Sequence, residues 1–331
     1  MKFNNNNGKT FRLGPLFQTQ YALIWVLFVI IAYFSITSNV FRTPENLLEI
    51  LRSSAITAIL VLGLTWIVAT GEIDLSFPQI AALSCVVCAL LIKLGFSFWS
   101  TVLISLAIGT AIGTLCGFLV GIYKFPGLIT SIGFATLAKA MAETFSEGAP
   151  IYIAAHQKII YGLVYGLVGG IPVLFLIALA IYVVCLFIQE KTITGHHLYA
   201  LGENRKATQE AGINESKIIF YFFIFSGILA SIGGVLYTAA IASGNPEMGD
   251  SFFLDGLTAV FLGALIIKAG KPNVVGTFLG IILLVVLFNG LTLQGTPNFI
   301  GLVIKGVLLF TGIVVVTYSR YRKKLPGTMQ V

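Results

Sequence analysis

GEIDLSFPQIAAL, residues 71–83, places Glu72, Asp74 and Pro78 between two long apolar runs. A carboxylate at the centre of a bilayer costs at least ~2.5–3.5 kcal/mol on insertion scales. The acids therefore belong in a turn at the cytoplasmic interface or in a protein-lined break between helices. Ser76 is placed to cap a new helix, and Gln79 three residues on completes a capping box. Pro78 falls in the first helical turn, where its missing N–H costs little. Asp74 precedes that N-terminus, where the helix dipole favours negative charge. The stretch thus reads as a chain break followed by a helix from about Phe77.

The rest of the composition fits that reading. The chain is 57% hydrophobic and 10% charged, against about 25% charged in soluble domains. So few charges cannot cover a water-facing surface, and a polytopic membrane protein follows. The polar, basic stretch 1–19 precedes an apolar run too long for a signal peptide, with no small-x-small site close behind, so that run is expected to be a retained spanning helix. Cys85, Cys88, Cys116 and Cys185 each lie inside apolar runs. Cys85 and Cys88 form a CxxC without a nearby histidine or positive charge, so they read as small packing residues, not thiolates.

At about 20 apolar residues per crossing, ten spans are expected: 20–37, 51–70, 77–93, 98–122, 127–145, 163–188, 217–241, 253–268, 273–291 and 298–318. The sixth is free to begin anywhere from Gly162 to Pro172. Lysine and arginine in short loops set the orientation. Lys2, Lys9, Arg12, Lys124, Lys191, Arg205, Lys206, Lys217, Lys268, Lys271 and the C-terminal bases Arg320, Arg322, Lys323 and Lys324 fall on one side. The opposite loops carry Glu45, Glu49, Glu147, Glu247 and Asp250. Both termini are therefore expected in the cytoplasm, with tails at 1–19 and 319–331 around a transmembrane permease domain at 20–318. The net charge of +7 is a topology signal. Its bases are scattered over many short loops, which argues against nucleic acid as a partner.

The longest hydrophilic stretch lies within 189–218, on the cytoplasmic side. Asn204 to Ala211 is a good helix former, with Asn204 as cap and Gly212 as the residue after the end. A short surface helix is expected there. Its alternating Glu203, Arg205, Lys206 and Glu210 suit docking to another protein better than an anionic lipid surface. The P-loop pattern is absent, so ATP and magnesium, if used, belong to a partner chain. His156, His196 and His197 have no metal-ligand spacing and read as surface residues. No cofactor, metal or catalytic set is expected in the chain, which reads as a transport subunit and not an enzyme. GTLCG at 113–117 and GTFLG at 276–280 echo each other in the fourth and ninth spans. These run in opposite directions, as in an inverted repeat, although such spacing also serves simple close packing.

Four stretches together resemble the permease subunits of bacterial sugar-type ABC importers, a group within the branched-chain amino acid permease superfamily that handles ribose, xylose, galactose and similar solutes. They are 71–83, FPGLITSIGFATLAKAMAETFSEGAPI (125–151), GHHLYALGENRKATQEAGIN (195–214) and FLDGLTAVFLGALIIKAGKPNVVGTFLG (253–280). The resemblance covers about residues 45–318. It implies an inner-membrane permease pairing with a second permease chain, identical or related. It also implies an ATPase subunit docked inside and a periplasmic binding protein that delivers solute outside. By resemblance, 189–216 is the coupling segment, carried by Gly195, Tyr199, Gly202, Asn204, Ala207 and Gly212, with Arg205 beside them. Gly71, Asp74, Ser76 and Asp255 belong to family motifs and are candidate gate residues. His196 stands where an arginine is usual, Glu72 and Pro78 where glycines are, and Ala264 replaces the second glycine of a pair; these departures weaken any transfer of substrate identity.

A neutral sugar needs hydroxyl-matching groups more than fixed charge. Ser226, Ser231, Asn289, Thr292 and Gln294 are polar residues in apolar surroundings and are candidate pathway residues. The alternative is an ion-coupled secondary transporter that uses Asp74, Glu72 or Asp255.

Overall fold

The computed structural model describes residues 22–153, 158–267 and 270–324. His156, Lys268 and the tails at 1–19 and 325–331 lie outside the described residues, as do the side chains of 319–324. The chain is mostly helical. Its helices are α1 (Ala22–Thr37), α2 (Pro44–Ala69), α3 (Phe77–Lys93), α4 (Phe98–Gly117), α5 (Gly127–Ser146), α6 (Lys158–Tyr165), α7 (Val173–Lys191), α8 (Ile193–Glu203), α9 (Arg205–Glu210), α10 (Glu215–Ile241), α11 (Met248–Gly263), α12 (Val274–Leu293) and α13 (Asn298–Lys324). Six of these are long and apolar enough to cross a membrane: α2, α4 with the π-helical turn that continues it to Ile122, α7, α10, α12 and α13. Among the described residues four strands of two residues each form two small antiparallel pairs: β1 (Ile151–Tyr152) with β4 (Ser243–Gly244), and β2 (Leu167–Val168) with β3 (Ile171–Pro172).

The layering follows from which helices are apolar on all sides. In α2 every residue from Ser54 to Ala69 is buried, and in α3 every residue from Phe77 to Ala89. A helix hydrophobic all round belongs at the centre, and α2, α3 and α10 form it. The outer helices bury little and turn large apolar side chains outward, among them Phe28, Phe310 and Val303. That is the surface expected where lipid, not water, is the solvent. Close approach at the centre depends on small residues. A Cβ on Gly113 would sit 2.6 Å from the Phe223 carbonyl of α10, and one on Gly276 would sit 2.1 Å from the Gly263 carbonyl of α11. Thus the first Gly-Thr-x-x-Gly stretch seats α4 on α10, and the second seats α12 on α11. The helix α4 also packs on α3, and α12 on α2.

Several boundaries differ from the sequence reading, each for a local reason. The sixth apolar helix starts at Val173, one residue past the latest start that the sequence left open. Gly169 and Gly170 both have positive φ, at 60° and 83°, and build the tight hairpin turn between β2 and β3 that only such residues favour. Residues 163–165 belong to the separate helix α6. The eighth runs Met248–Gly263 rather than 253–268. The Asn245 side chain accepts the Glu247 N–H at 2.9 Å in a turn just before the helix, which opens in a polar stretch that reads as loop. Asp250 then lies in its first turn, where the dipole favours a carboxylate. The second helix begins seven residues early, because Thr43 caps it and Pro44 opens it.

Candidate functional site

The break at 70–76 is where the buried polar groups gather. Thr70 ends α2, Gly71 turns the chain with φ +88°, and α3 starts at Phe77. Asp74 is 1% exposed. Its Oδ1 accepts the Ser76 N–H at 2.8 Å and the Ser76 hydroxyl at 2.5 Å, and its Oδ2 accepts the Ser226 hydroxyl at 2.8 Å. Asp74 therefore lies in a protein-lined break and ties it to the middle of α10. The capping box does not form: Ser76 makes no side-chain cap to α3. Its hydroxyl is taken by the carboxylate two residues away, the stronger acceptor. Gln79 turns instead to Asp250, donating at 2.7 Å.

Glu72 reaches the other way, into an ion pair with Arg205 of α9. Arg205 also lies 3.6 Å from Glu215 at the start of α10, and Glu215 pairs with Lys124 at 3.4 Å. Gln209 donates to Glu215 at 2.6 Å. Arg205 therefore faces its own chain, bridging the α2–α3 break to α10.

The segment around it is built as its residues dictate. Asn204 Oδ1 accepts the Ala207 N–H at 3.2 Å and caps α9. Gly212 follows the end with φ +78°; its N–H bonds the Gln209 carbonyl at 2.9 Å, and the Ile213 N–H bonds Thr208 at 3.2 Å. These two bonds are a Schellman ending. Two glycines let α8 lie against the helices above it. A Cβ on Gly202 would sit 2.1 Å from the Ala69 carbonyl at the end of α2, and one on Gly195 would sit 1.9 Å from the Gln189 carbonyl. Lys206, Ala207, Gln209 and Glu210 are exposed on the outer side of α9. His196, in place of the usual arginine, lies with Nδ1 2.9 Å from the Thr192 carbonyl.

The residue that sequence reasoning missed here is Gln189, 2% exposed at the end of α7. Its Oε1 accepts the Trp66 indole N–H of α2 at 3.0 Å and the Val274 N–H of α12 at 3.2 Å. Its amide donates to the Tyr199 hydroxyl of α8 at 2.6 Å. One side chain so joins four helices. Burial, and secondarily Glu190, hold the Tyr199 phenol above its ordinary range, so the hydroxyl stays protonated. A glutamine closing an otherwise apolar run was the available signal.

The candidate pathway residues separate into two groups. Ser226 is bound to Asp74, and Ser231 accepts a hydrogen bond from Ser84 at 2.9 Å; both are fully buried in helix packing. Gln294 donates to Thr37 at 3.1 Å at the end of α12. Asn289 and Thr292, by contrast, line a cavity of about 450 Å³ among α2, α10, α11, α12 and α13. Asn289 exchanges two hydrogen bonds with Asn46, at 3.1 and 2.9 Å. Asp255 lines the same cavity and pairs with Lys305 at 2.7 Å. Among the described residues no group of three or more metal-ligating side chains is found.

Comparison with known proteins gives this architecture a family. The family described as branched-chain amino acid transport system / permease component matches residues 46–312. The chain belongs to this family. Three relatives cover most of its length. The ribose import permease protein of Haemophilus influenzae is 29% identical over 320 residues, 96% of this chain and 99% of the relative. That of Escherichia coli is 30% identical over 294 residues, 87% and 91% of the two chains. The xylose transport system permease protein of Haemophilus influenzae is 24% identical, covering 94% and 99%. Among solved structures, an inward-facing metal-chelate type ABC transporter shares the fold, with a TM-score of 0.52 and 16% identity over 88% of this chain and 98% of that one. This permease is accordingly a multi-pass inner-membrane protein and a transport subunit.

Proposed function

We propose that this chain is the transmembrane permease subunit of an ATP-binding-cassette importer for a monosaccharide or sugar-like solute. The observation that carries the reading is the end-to-end match to ribose import permease proteins. In this reading ten helices cross the membrane: α1 to α5, α7 and α10 to α13. The two halves form an inverted repeat, and both termini lie inside. The packing of α4 on α3 and α10, repeated by α12 on α11 and α2, supports the repeat.

Two permease chains form the working unit. The side of α5 that carries Lys139, paired with Asp250 at 2.7 Å and half-exposed, supports this. Lys139 stands near the middle of α5, where a charge is costly against lipid and is accommodated at a water-filled or protein-covered face. The ATPase subunit, which holds ATP and magnesium, docks on α8–α9, and a periplasmic binding protein delivers the solute. Docking forces on α9 pass through Arg205 to Glu72 and so to the break at Asp74. Forces on α8 pass through Tyr199 and Gln189 to α2 and α12.

The ion-coupled alternative finds its acids already engaged. Glu72 pairs with Arg205, Asp255 pairs with Lys305, and Asp74 is held by two serines. The test is uptake by proteoliposomes that contain the permease, its ATPase and its binding protein, with D-ribose, D-xylose and L-arabinose supplied in turn. Accumulation of one of them is expected. Accumulation of none, with ATP turnover intact, overturns the sugar assignment.

A further inference from the structure

We infer that the groove between α8 and α10, where His197 and Lys217 face Tyr221 and Phe222, binds the phosphate headgroup of an anionic phospholipid such as phosphatidylglycerol. The site involves neither the solute nor the exposed side of α9. Only its assignment to the inner leaflet follows from the orientation proposed above.

The groove lies at the level where a bilayer places its phosphates. The helix α7 is long and apolar enough to cross a membrane and ends at Lys191; α10 is the next such helix and begins at Glu215. The groove is lined by α8, by the turn before α10 and by the first two turns of α10, and encloses about 400 Å³. That volume falls within the range of small-molecule sites, roughly 300–1,000 Å³. Lys217 and Tyr221 lie one turn apart on α10, and Thr194 and His197 one turn apart on α8, so each pair shares a helix face.

The charge of the groove has one sign. Among the described residues no acid lines it. Nearby cations are already matched: Lys124 and Arg205 pair with Glu215, and Lys271 pairs with Glu203. Lys217 and His197 belong to none of these pairs, and among the described residues they have no acidic partner. Lys217 supplies an ammonium, Thr194 a hydroxyl, and the His197 imidazole an N–H donor in either charge state. These are donors for a phosphate. The other half of the groove is apolar, made by Ile213, Ile218, Tyr221 and Phe222. Phe222 is buried, and Tyr221 is 61% exposed at the height where tyrosines meet headgroups. A free anion would leave that apolar half uncovered, whereas a lipid covers it with glycerol and acyl carbons. Basic pockets between spanning helices suit anionic headgroups in this way. The exposed side of α9 differs, because Lys206 and Glu210 alternate in sign there. A lipid in the groove bridges α8 to the start of α10.

The experiment titrates the full-length permease in mild detergent with dioleoyl phosphatidylglycerol, dioleoyl phosphatidylcholine or inorganic phosphate. Lipid retention is read by native mass spectrometry, and the thermal unfolding midpoint is followed in parallel. Phosphatidylglycerol should be held about tenfold more tightly than phosphatidylcholine, and it alone should raise the midpoint. Lys217→Gln should weaken its retention about fivefold, the change expected for one lysine at an anionic surface. His197→Ala should weaken it as well. Lys206→Gln, which removes the same charge from α9, should leave it unchanged. All three side chains are exposed or half-exposed, so the variants should unfold near the parent when no lipid is added. Equal retention of the two lipids, or equal weakening by Lys217→Gln and Lys206→Gln, overturns the site. A midpoint raised as far by inorganic phosphate makes the occupant a soluble anion and overturns the lipid assignment. Unchanged retention in Lys217→Gln together with loss of the ATPase on purification makes the groove part of the ATPase contact, and also overturns it. None of these results bears on sugar uptake, so the importer reading stands or falls separately.

Discussion

Replacing Gln189 with leucine removes the acceptor of the Trp66 indole N–H and of the Val274 N–H inside the protein. A buried polar group left without a partner costs about 1–3 kcal/mol. Gln189→Leu is therefore expected to lower the thermal unfolding midpoint by several degrees. The Glu72–Arg205 pair makes a different prediction. Glu72→Gln and Arg205→Met should each reduce uptake per ATP hydrolysed, and the double variant should be no worse than the poorer single, because the two act as one contact. Additive losses would show that they act separately. At this scale the sequence was a partial guide. Asp74 before a helix start was legible, because Pro78 and the apolar run beyond it mark the break. Ser76 was not, because a hydroxyl two residues from a carboxylate serves the carboxylate before it serves a helix end. The partner of Glu72 lies 133 residues away, and nothing local names it.

The proposed coupling element consists of α8 and α9, held by glycines at one end and ion pairs at the other. Deleting 203–212 removes Glu203, the partner of Lys271, together with Arg205 and the exposed side of α9. The deleted permease should still reach the membrane but lose most of its ATPase in mild-detergent purification. Undiminished co-purification would move the docking surface elsewhere. Gly202→Leu should give a similar loss, since even a Cβ there would sit 2.1 Å from the Ala69 carbonyl, forcing α8 off the end of α2. Element existence was readable wherever an apolar run was long and its caps were local; 77–93 is α3 to the residue. Boundaries shifted where a turn was made by backbone geometry, as at Gly169 and Gly170. They shifted again where a helix began in a polar stretch ahead of its apolar run, as α11 does at Met248.

In the whole molecule, a core of α2, α3 and α10 carries outer helices whose apolar sides face outward, and α8 and α9 attach to that core through Gln189 and Arg205. Composition made the membrane class legible, and the family motifs made the family legible. The cavity was not, because Asn289, Asp255, Lys305 and Arg52 come from four helices and meet only through packing. The central claim is that energy enters from a separate ATPase. The measurement that tests it most directly is sugar accumulation by proteoliposomes loaded with ATP, comparing an intact ATPase partner with one whose catalytic base has been removed. The account predicts accumulation with the first and none with the second, whatever ion gradient is imposed. Accumulation that persists with the inactive ATPase and follows a proton or sodium gradient would contradict it.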